Sequence, residues 1–262
     1  MQNVLNALRV LDEVAARQPV GVAELARTLG IPKSTVQRAL LTLQTAGWLR
    51  PADGGGATRW ILTTKPLLMG RHGSGELGLR DVAVPVMEEL RRQSDETVHL
   101  AVPEGGKVVL IERLETSQPV RIILPLGKDL PLHASANGKA VLAASAPDVI
   151  ERHLAEELPQ FTGTTITDLG RLRAELAAVR ERGYATNDGE WRTDVSAVAA
   201  AVVVGPGGPV ASISVNVPTS RVTSDSRAAH GEMVREAAAK VGAALGSSRG
   251  RPSRDAPPRQ TP

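Results

Sequence analysis

Val4, Leu5, Leu8, Leu11, Val14 and Ala15 recur at the three- and four-residue spacing of one helix face. They predict an amphipathic helix over residues 3–17, ended by Pro19. The run Val22-Ala23-Glu24-Leu25-Ala26-Arg27-Thr28-Leu29 predicts a second, shorter helix that Gly30 stops. Pro32 suits the first turn of a third helix reaching about Ala46. A turn of about three or four residues containing glycine between two helices is what a helix-turn-helix requires. On the third helix Val36, Leu40 and Leu43 share the inward face, with Ala39 at its edge and Gly47 at its end. The opposite face carries Ser34, Gln37, Arg38, Leu41 and Thr45, flanked by Lys33, Thr35 and Thr42.

After Gly47 the pattern changes to strands, Trp48-Leu49-Arg50 and Arg59-Trp60-Ile61-Leu62, around the loop from Pro51 to Thr58. This is a β-hairpin wing, with Trp48 and Trp60 expected to pack against the helices. Residues 64–80 hold four glycines among leucines, a composition that predicts a hinging linker rather than a helix. Helical periodicity returns over 80–93. Strands are then expected at 96–102, 107–114, 119–125, 198–204 and 210–217, the first two joined by Glu104-Gly105-Gly106 and the last two by Gly205 to Pro209. Helices are expected at 138–145, 147–157, 168–182 and 225–245. Hairpins with helices before, between and after them indicate an α+β domain on an antiparallel sheet. The expected division is a winged helix-turn-helix domain at 1–62, a linker at 63–80, a second domain at 81–246 and a polar, proline-rich tail at 247–262 that should be disordered.

Charge sharpens this picture through its distribution. The net +3 divides into seven Lys/Arg against four Asp/Glu in residues 1–62, twenty against twenty-three in 63–246, and four against one in 247–262. Between Glu24 and Asp53 the only charges are Arg27, Lys33, Arg38 and Arg50, a compact positive field suited to phosphate. Gln37 and Arg38 have the donor and acceptor geometry that reads adenine and guanine edges in a major groove. Lys33, Ser34 and Thr35, at a helix N-terminus, suit phosphate; Thr42 flanks the same DNA-binding face, and Thr58 and Arg59 on the wing are placed to reach a backbone phosphate or the minor groove. The bland alternative is a solvated polar face on an ordinary three-helix bundle. Aromatics make up only 2% of the chain, so Leu, Val and Ala must fill its cores. With no cysteine there is no disulfide framework, thiolate metal site or cysteine nucleophile. No apolar run is long enough for a bilayer span, so a cytoplasmic protein is expected.

The segment VAELARTLGIPKSTVQRALLTLQTAGWL at 22–49 closely resembles the N-terminal domain of IclR-family transcription regulators. Three further segments resemble the effector-binding, GAF-like domain of the same family, in matching order and spacing: HASANGKAVLA at 133–143, RERGYATNDGEW at 180–191 and GGPVASISVNVP at 207–218. The resemblance covers about residues 3–245. It implies a dimeric or tetrameric DNA-binding regulator, without catalytic activity or cofactor, that answers to a small organic or aromatic acid. It also implies a pocket at Ala136, Asn137, Asn187, Ala197, Ser214 and Asn216. Some relatives have Asp in place of Asn187, Cys in place of Ala197 and Ser in place of Asn216, which leaves the effector open.

A loop opening a helix at Gly138 would offer free N–H groups to a carboxylate, and Ser214 and Asn216 alternate onto one sheet face. His133, Ser135 and Lys139 suggest a hydrolase only superficially, since Ser135 to Lys139 is not the S-x-x-K spacing and His133 has no acidic partner in a recognisable motif. Lys139 is expected to be solvated or helix-stabilising. In the tail, Arg249-Gly250-Arg251-Pro252 resembles the core of an AT-hook, against the simpler reading of a solubility tail. Two rival classes remain: a metabolite-binding module or enzyme whose helix-turn-helix contacts protein, and an architectural DNA protein without a ligand.

Overall fold

A computed structural model describes residues 1–54, 57–72 and 76–249. The chain divides into two compact units, Met1–Leu77 and Gly78–Pro262. The expected tail motif from Gly250 onward lies outside the described residues. Among the described residues no helix is long and apolar enough to cross a membrane.

The first unit is built from α1 (Gln2–Arg17), β1 (Val20–Gly21), α2 (Val22–Leu29), α3 (Lys33–Thr45), β2 (Leu49–Pro51), β3 (Arg59–Leu62) and α4 (Lys65–His72). Gly30 ends α2 in the left-handed conformation at φ 65°, which a glycine adopts without a Cβ penalty. Pro32 stands one position earlier than expected, as the N-cap of α3. The core joins Val10, Val14, Leu25, Val36, Leu40, Leu43, Leu49 and Trp60, with Trp48 half-buried against it. The expectation for α1 needs correction, because Val4, Leu5 and Leu8 are exposed and only Val10 and Val14 of its apolar residues are fully enclosed. The apolar stripe is longer than the core it serves. The wing is three-stranded, in the order β1-β3-β2, since the short Val20–Gly21 segment pairs with Trp60 and Arg59.

Helix α4 lies where a flexible linker is expected, and α5 (Glu76–Ser94) begins four residues before the predicted start at 80. Residues 73–75 of the expected linker lie outside the described residues. At the head of α4, Lys65 Nζ donates to Ala46 O at 2.6 Å and lies 5.2 Å from the Trp48 ring centroid. A cation thus caps the C-terminal carbonyls of α3.

In the second unit, α5 is followed by β4 (Thr97–Glu104), β5 (Lys107–Leu114), β6 (Asp129–Leu130), α6 (Ala136–Ala144), α7 (Pro147–Leu154), α8 (Leu169–Arg182), β7 (Ala185–Asp188), β8 (Val195–Val203), β9 (Pro209–Pro218) and α9 (Ser224–Arg249). The antiparallel sheet runs β6-β5-β4-β9-β8-β7. Glu104 pairs with Lys107 across Gly105 and Gly106, whose φ values of 54° and 84° make the two-residue turn that matches strand twist. Residues 119–125 do not form the expected strand. Pro119 and Pro125 bracket that run, and the position beside β5 is taken by β6, which Gly127 N–H donating to Leu110 O brings into register.

Alternation splits the sheet into two cores. One face presents Val98, Leu100, Val102, Val198, Ala200, Ile213 and Val215 to α5 and α9. The other presents Ala101, Leu110, Ala185, Ala197 and Ala199 to α6, α7 and α8. Helix α6 approaches so closely that a Cβ on Gly138 would come within 2.3 Å of Pro131 O.

Candidate DNA-binding face and effector site

In the first unit the exposed side of α3 carries Lys33, Ser34, Gln37, Arg38, Leu41, Thr42 and Thr45, with Thr35 half-buried beside them. Its inward side is Val36, Ala39, Leu40 and Leu43. The two faces follow from the 3.6-residue period. Pro32 supplies no side-chain cap, and the first N–H that turns back to its carbonyl is that of Thr35, at 2.9 Å. Two threonines fold back on the helix: Thr42 Oγ1 donates to Arg38 O at 2.9 Å and Thr45 Oγ1 to Leu41 O at 3.0 Å. Each hydroxyl thereby spends its proton on the helix and keeps only acceptor capacity. On the wing, Thr58 is exposed. Arg59 is engaged within this unit: its Nε and Nη2 donate to Pro19 O at 2.9 and 2.6 Å, and Nη2 lies 3.3 Å from Glu24 Oε2. The guanidinium ties the wing to the start of α2.

In the second unit a polar strip crosses the α6 face of the sheet. One cross-strand row reads Thr97, Asn216, Ala197 and Asn187; the next reads His99, Ser214, Ala199 and Ala185. Ser212 follows on the same face of β9, and its Oγ accepts from Asn137 Nδ2 on α6 at 3.0 Å. Asn216 Nδ2 donates to Ser214 Oγ at 2.9 Å. These residues are all buried, Ser212, Ser214, Thr97 and His99 at 0% exposure. His99 Nδ1 and Nε2 and Thr97 Oγ1 have no hydrogen-bond partner among the described residues. A buried polar group left unmet costs about 1–3 kcal/mol. Burial, aided by the Arg113 guanidinium, pushes the His99 imidazole down to about 3, so it is uncharged at neutral pH.

At the head of α6, Ser135 caps the helix, its Oγ accepting from Gly138 N–H at 2.9 Å and donating to Pro131 O at 2.7 Å. Among the described hydrogen bonds none takes the N–H of Ala136 or Asn137.

With this geometry in view, residues 4–53 match the IclR helix-turn-helix domain and residues 74–243 the bacterial transcriptional regulator IclR C-terminal domain. The chain belongs to the IclR family. It is 30% identical over 253 residues to "Transcriptional repressor IclR" of Escherichia coli strain K12, covering 95% of this chain and 92% of that one. It is 35% identical over 226 residues to the "HTH-type transcriptional repressor AllR" of the same organism, covering 86% of this chain and 83% of that one. The crystal structure of an IclR homolog complexed with 4-hydroxybenzoate from Microbacterium hydrocarbonoxydans has a TM-score of 0.78 at 27% identity, covering 94% of this chain and 99% of that one.

The residues that the IclR resemblance singles out fall on one side of the sheet. Ala197, Ser214 and Asn216 lie on its α6 face, and Ala136 and Asn137 lie in the first turn of α6. Asn187 is in the same row, on a strand that no apolar alternation announces, with both ends of its side chain in use: Nδ2 donates to Ala134 O at 3.0 Å, and Oδ1 accepts from Glu190 N–H at 2.9 Å. It braces the loop before α6 against the loop after β7. Two expectations are corrected. The Gly138 N–H is taken by Ser135, which moves any open donors of this IclR-family helix to Ala136 and Asn137. Lys139 is not solvated: it is 1% exposed, with Nζ 2.6 Å from Glu190 Oε1 and 3.5 Å from Glu175 Oε1. His99 and Thr97 lie on the same buried face and are not among the residues the resemblance singles out. The signal was present in ETVHLAV, where two polar residues sit two apart on a strand whose alternate positions are apolar.

Proposed function

We propose that this IclR-family chain is a cytoplasmic, homodimeric or tetrameric transcriptional repressor, without catalytic activity, that binds operator DNA through residues 1–62 and a small metabolite through residues 81–246. Residues 63–80 connect the two. The observation that carries this reading is the exposed polar face of α3, with Gln37 and Arg38 at its centre and Lys33 and Ser34 at its N-terminus. Gln37 and Arg38 read base edges, while Lys33, Ser34, Thr35 and the wing residue Thr58 hold phosphates. Arg59, occupied by Pro19 O and Glu24, supports the wing from behind.

The metabolite is a small organic or aromatic acid or a related compound, held by Ala136, Asn137, Ala197, Ser214 and Asn216, with Asn187 setting the loops around it. A relative crystallised with 4-hydroxybenzoate supports this size and chemistry. The metabolite controls repression to the extent that it binds the DNA-competent and the DNA-free protein with different affinity.

A gel-shift experiment on the DNA upstream of the chain's own gene, with and without small acids, phenolics and amides, tests the reading. A specific complex at low salt that at least one compound weakens or strengthens is expected. Absence of any complex overturns it, and a complex indifferent to every compound favours an architectural role.

A further inference from the structure

The buried strip on the α6 face has a balance of donors and acceptors that separates one class of small molecule from another. His99 is fully enclosed with both ring nitrogens unmet, and Thr97, two residues earlier on the same face, has an unmet hydroxyl. Opposite them on β9 stand Asn216, paired with Thr97, and Ser214, paired with His99. Buried polar side chains are nearly always satisfied, so three unmet atoms at adjacent positions of one sheet face point to hydrogen bonds made with a bound molecule. Neither His99 nor Thr97 belongs to the set that the family resemblance supplies.

The chemistry of the strip is neutral. An uncharged imidazole offers one N–H and one lone pair, and a threonine hydroxyl both donates and accepts. The nearby cation, Arg113, is already committed: its Nη1 donates to Leu124 O and its Nη2 lies 2.8 Å from Glu115 Oε1. A bare carboxylate only accepts, so it would satisfy the donors and leave the imidazole lone pair facing another acceptor. A carboxamide supplies a carbonyl to the donors and an N–H to the lone pair.

We propose that His99 and Thr97 hold the recognised end of the effector, and that this end is an uncharged group able to donate and accept, such as a carboxamide, in preference to a bare carboxylate. The inference rests on the reading of the second unit as effector-binding. Its consequence is a selectivity that acids and their amides reveal directly, because the two differ little in shape.

The test measures the affinity of the full chain for three matched pairs: propionamide and propionate, butyramide and butyrate, benzamide and benzoate. Calorimetry is combined with ¹⁵N spectra of the histidine rings, with the His99 signals assigned from their loss in His99→Gln. At least one amide should bind at least about tenfold more tightly than its acid, the discrimination one well-placed polar contact gives, and should move the His99 ring nitrogens. His99→Phe should reduce the preference to within about twofold, and His99→Gln, which keeps a neutral donor and acceptor, should restore it. If His99→Phe does not fold, the ring signals of the unaltered protein and the His99→Gln affinities decide. Acids binding as tightly as their amides, binding that leaves the His99 signals unmoved, or a preference that survives in His99→Phe overturns the inference while leaving the effector-binding reading in place. Six silent compounds count against both.

Discussion

Lys139 and Glu190 form an ion pair at 2.6 Å with Lys139 only 1% and Glu190 only 7% exposed. Burial raises the Glu190 carboxyl above its ordinary range, and the Lys139 ammonium opposes that shift. Lys139→Ala strands the carboxylate in the interior, so an unfolding free energy lower by about 3–5 kcal/mol is expected. Urea denaturation measures it. A loss below about 1 kcal/mol, the value of an exposed pair, would show that water reaches Glu190.

Gly138 lies under the loop that precedes α6, where a methyl group has no space. Gly138→Ala places a Cβ 2.3 Å from Pro131 O and 2.5 Å from Leu132 Cα, both backbone atoms that move only with the chain. A destabilisation of about 1–3 kcal/mol is expected from overpacking, together with displacement of Ala136 and Asn137. Thermal unfolding and metabolite titration read the two effects separately. Gly170→Ala, where the nearest contact is Asp168 Oδ1 at 3.3 Å, is the milder control.

Much of this fold is legible in the sequence because each element carries a local reason. The α2–turn–α3 segment follows from apolar spacing, Gly30 and Pro32, and the β4–β5 hairpin from Gly105-Gly106. Other features depend on partners distant in the chain. Lys139 reads as a surface residue until Glu190 is known to face it 51 positions later. Arg59 reads in sequence only as a DNA contact, and its hydrogen bonds to Pro19 and Glu24 emerge only in the fold. Strand β7 has no apolar signature of its own and exists through its pairing with β8. The candidate site was partly legible: the resemblance supplied Asn187, Ala197, β9 and the head of α6, while the placement of Thr97 and His99 beside them required the β4–β9 register.

Base-reading and phosphate-holding residues on α3 should separate in kind. Arg38→Ala and Gln37→Ala are each expected to cost about 1–3 kcal/mol of operator affinity and to relax specificity at one position. Lys33→Ala should weaken binding to all sequences alike and reduce the slope of log affinity against log salt by about 1. Fluorescence anisotropy on operator and scrambled duplexes distinguishes them. An Arg38→Ala protein that loses affinity equally for both duplexes would contradict base reading.

Arg59 gives the opposite expectation. Since its guanidinium is spent on Pro19 O and Glu24, Arg59→Ala should lower the stability of the first unit by about 1 kcal/mol, the net value of such hydrogen bonds at a partly exposed site. The salt slope of DNA binding should stay as it was. A slope reduced as far as that of Lys33→Ala would mean that the side chain leaves Pro19 for a phosphate.

His99 gives the protein a sensitivity to acid whose sign follows from its burial. In the folded state the imidazole is pushed down to about 3, whereas in the unfolded chain it keeps its ordinary value near 6.5. The unfolded state therefore takes up a proton first as pH falls, so the stabilisation is complete above pH 6.5 and declines from there towards pH 3. Between pH 7.5 and 5.5 this single site should remove about 1.4 kcal/mol. His133, His153 and His230 are also lowered by burial and act in the same direction, whereas the raised Glu190 acts in the opposite one. Comparison with His99→Gln cancels these other groups. Urea unfolding at the two pH values should show a smaller loss for His99→Gln by about that amount. An equal loss would mean that folded His99 takes a proton, contrary to the enclosed, neutral imidazole on which amide selectivity depends.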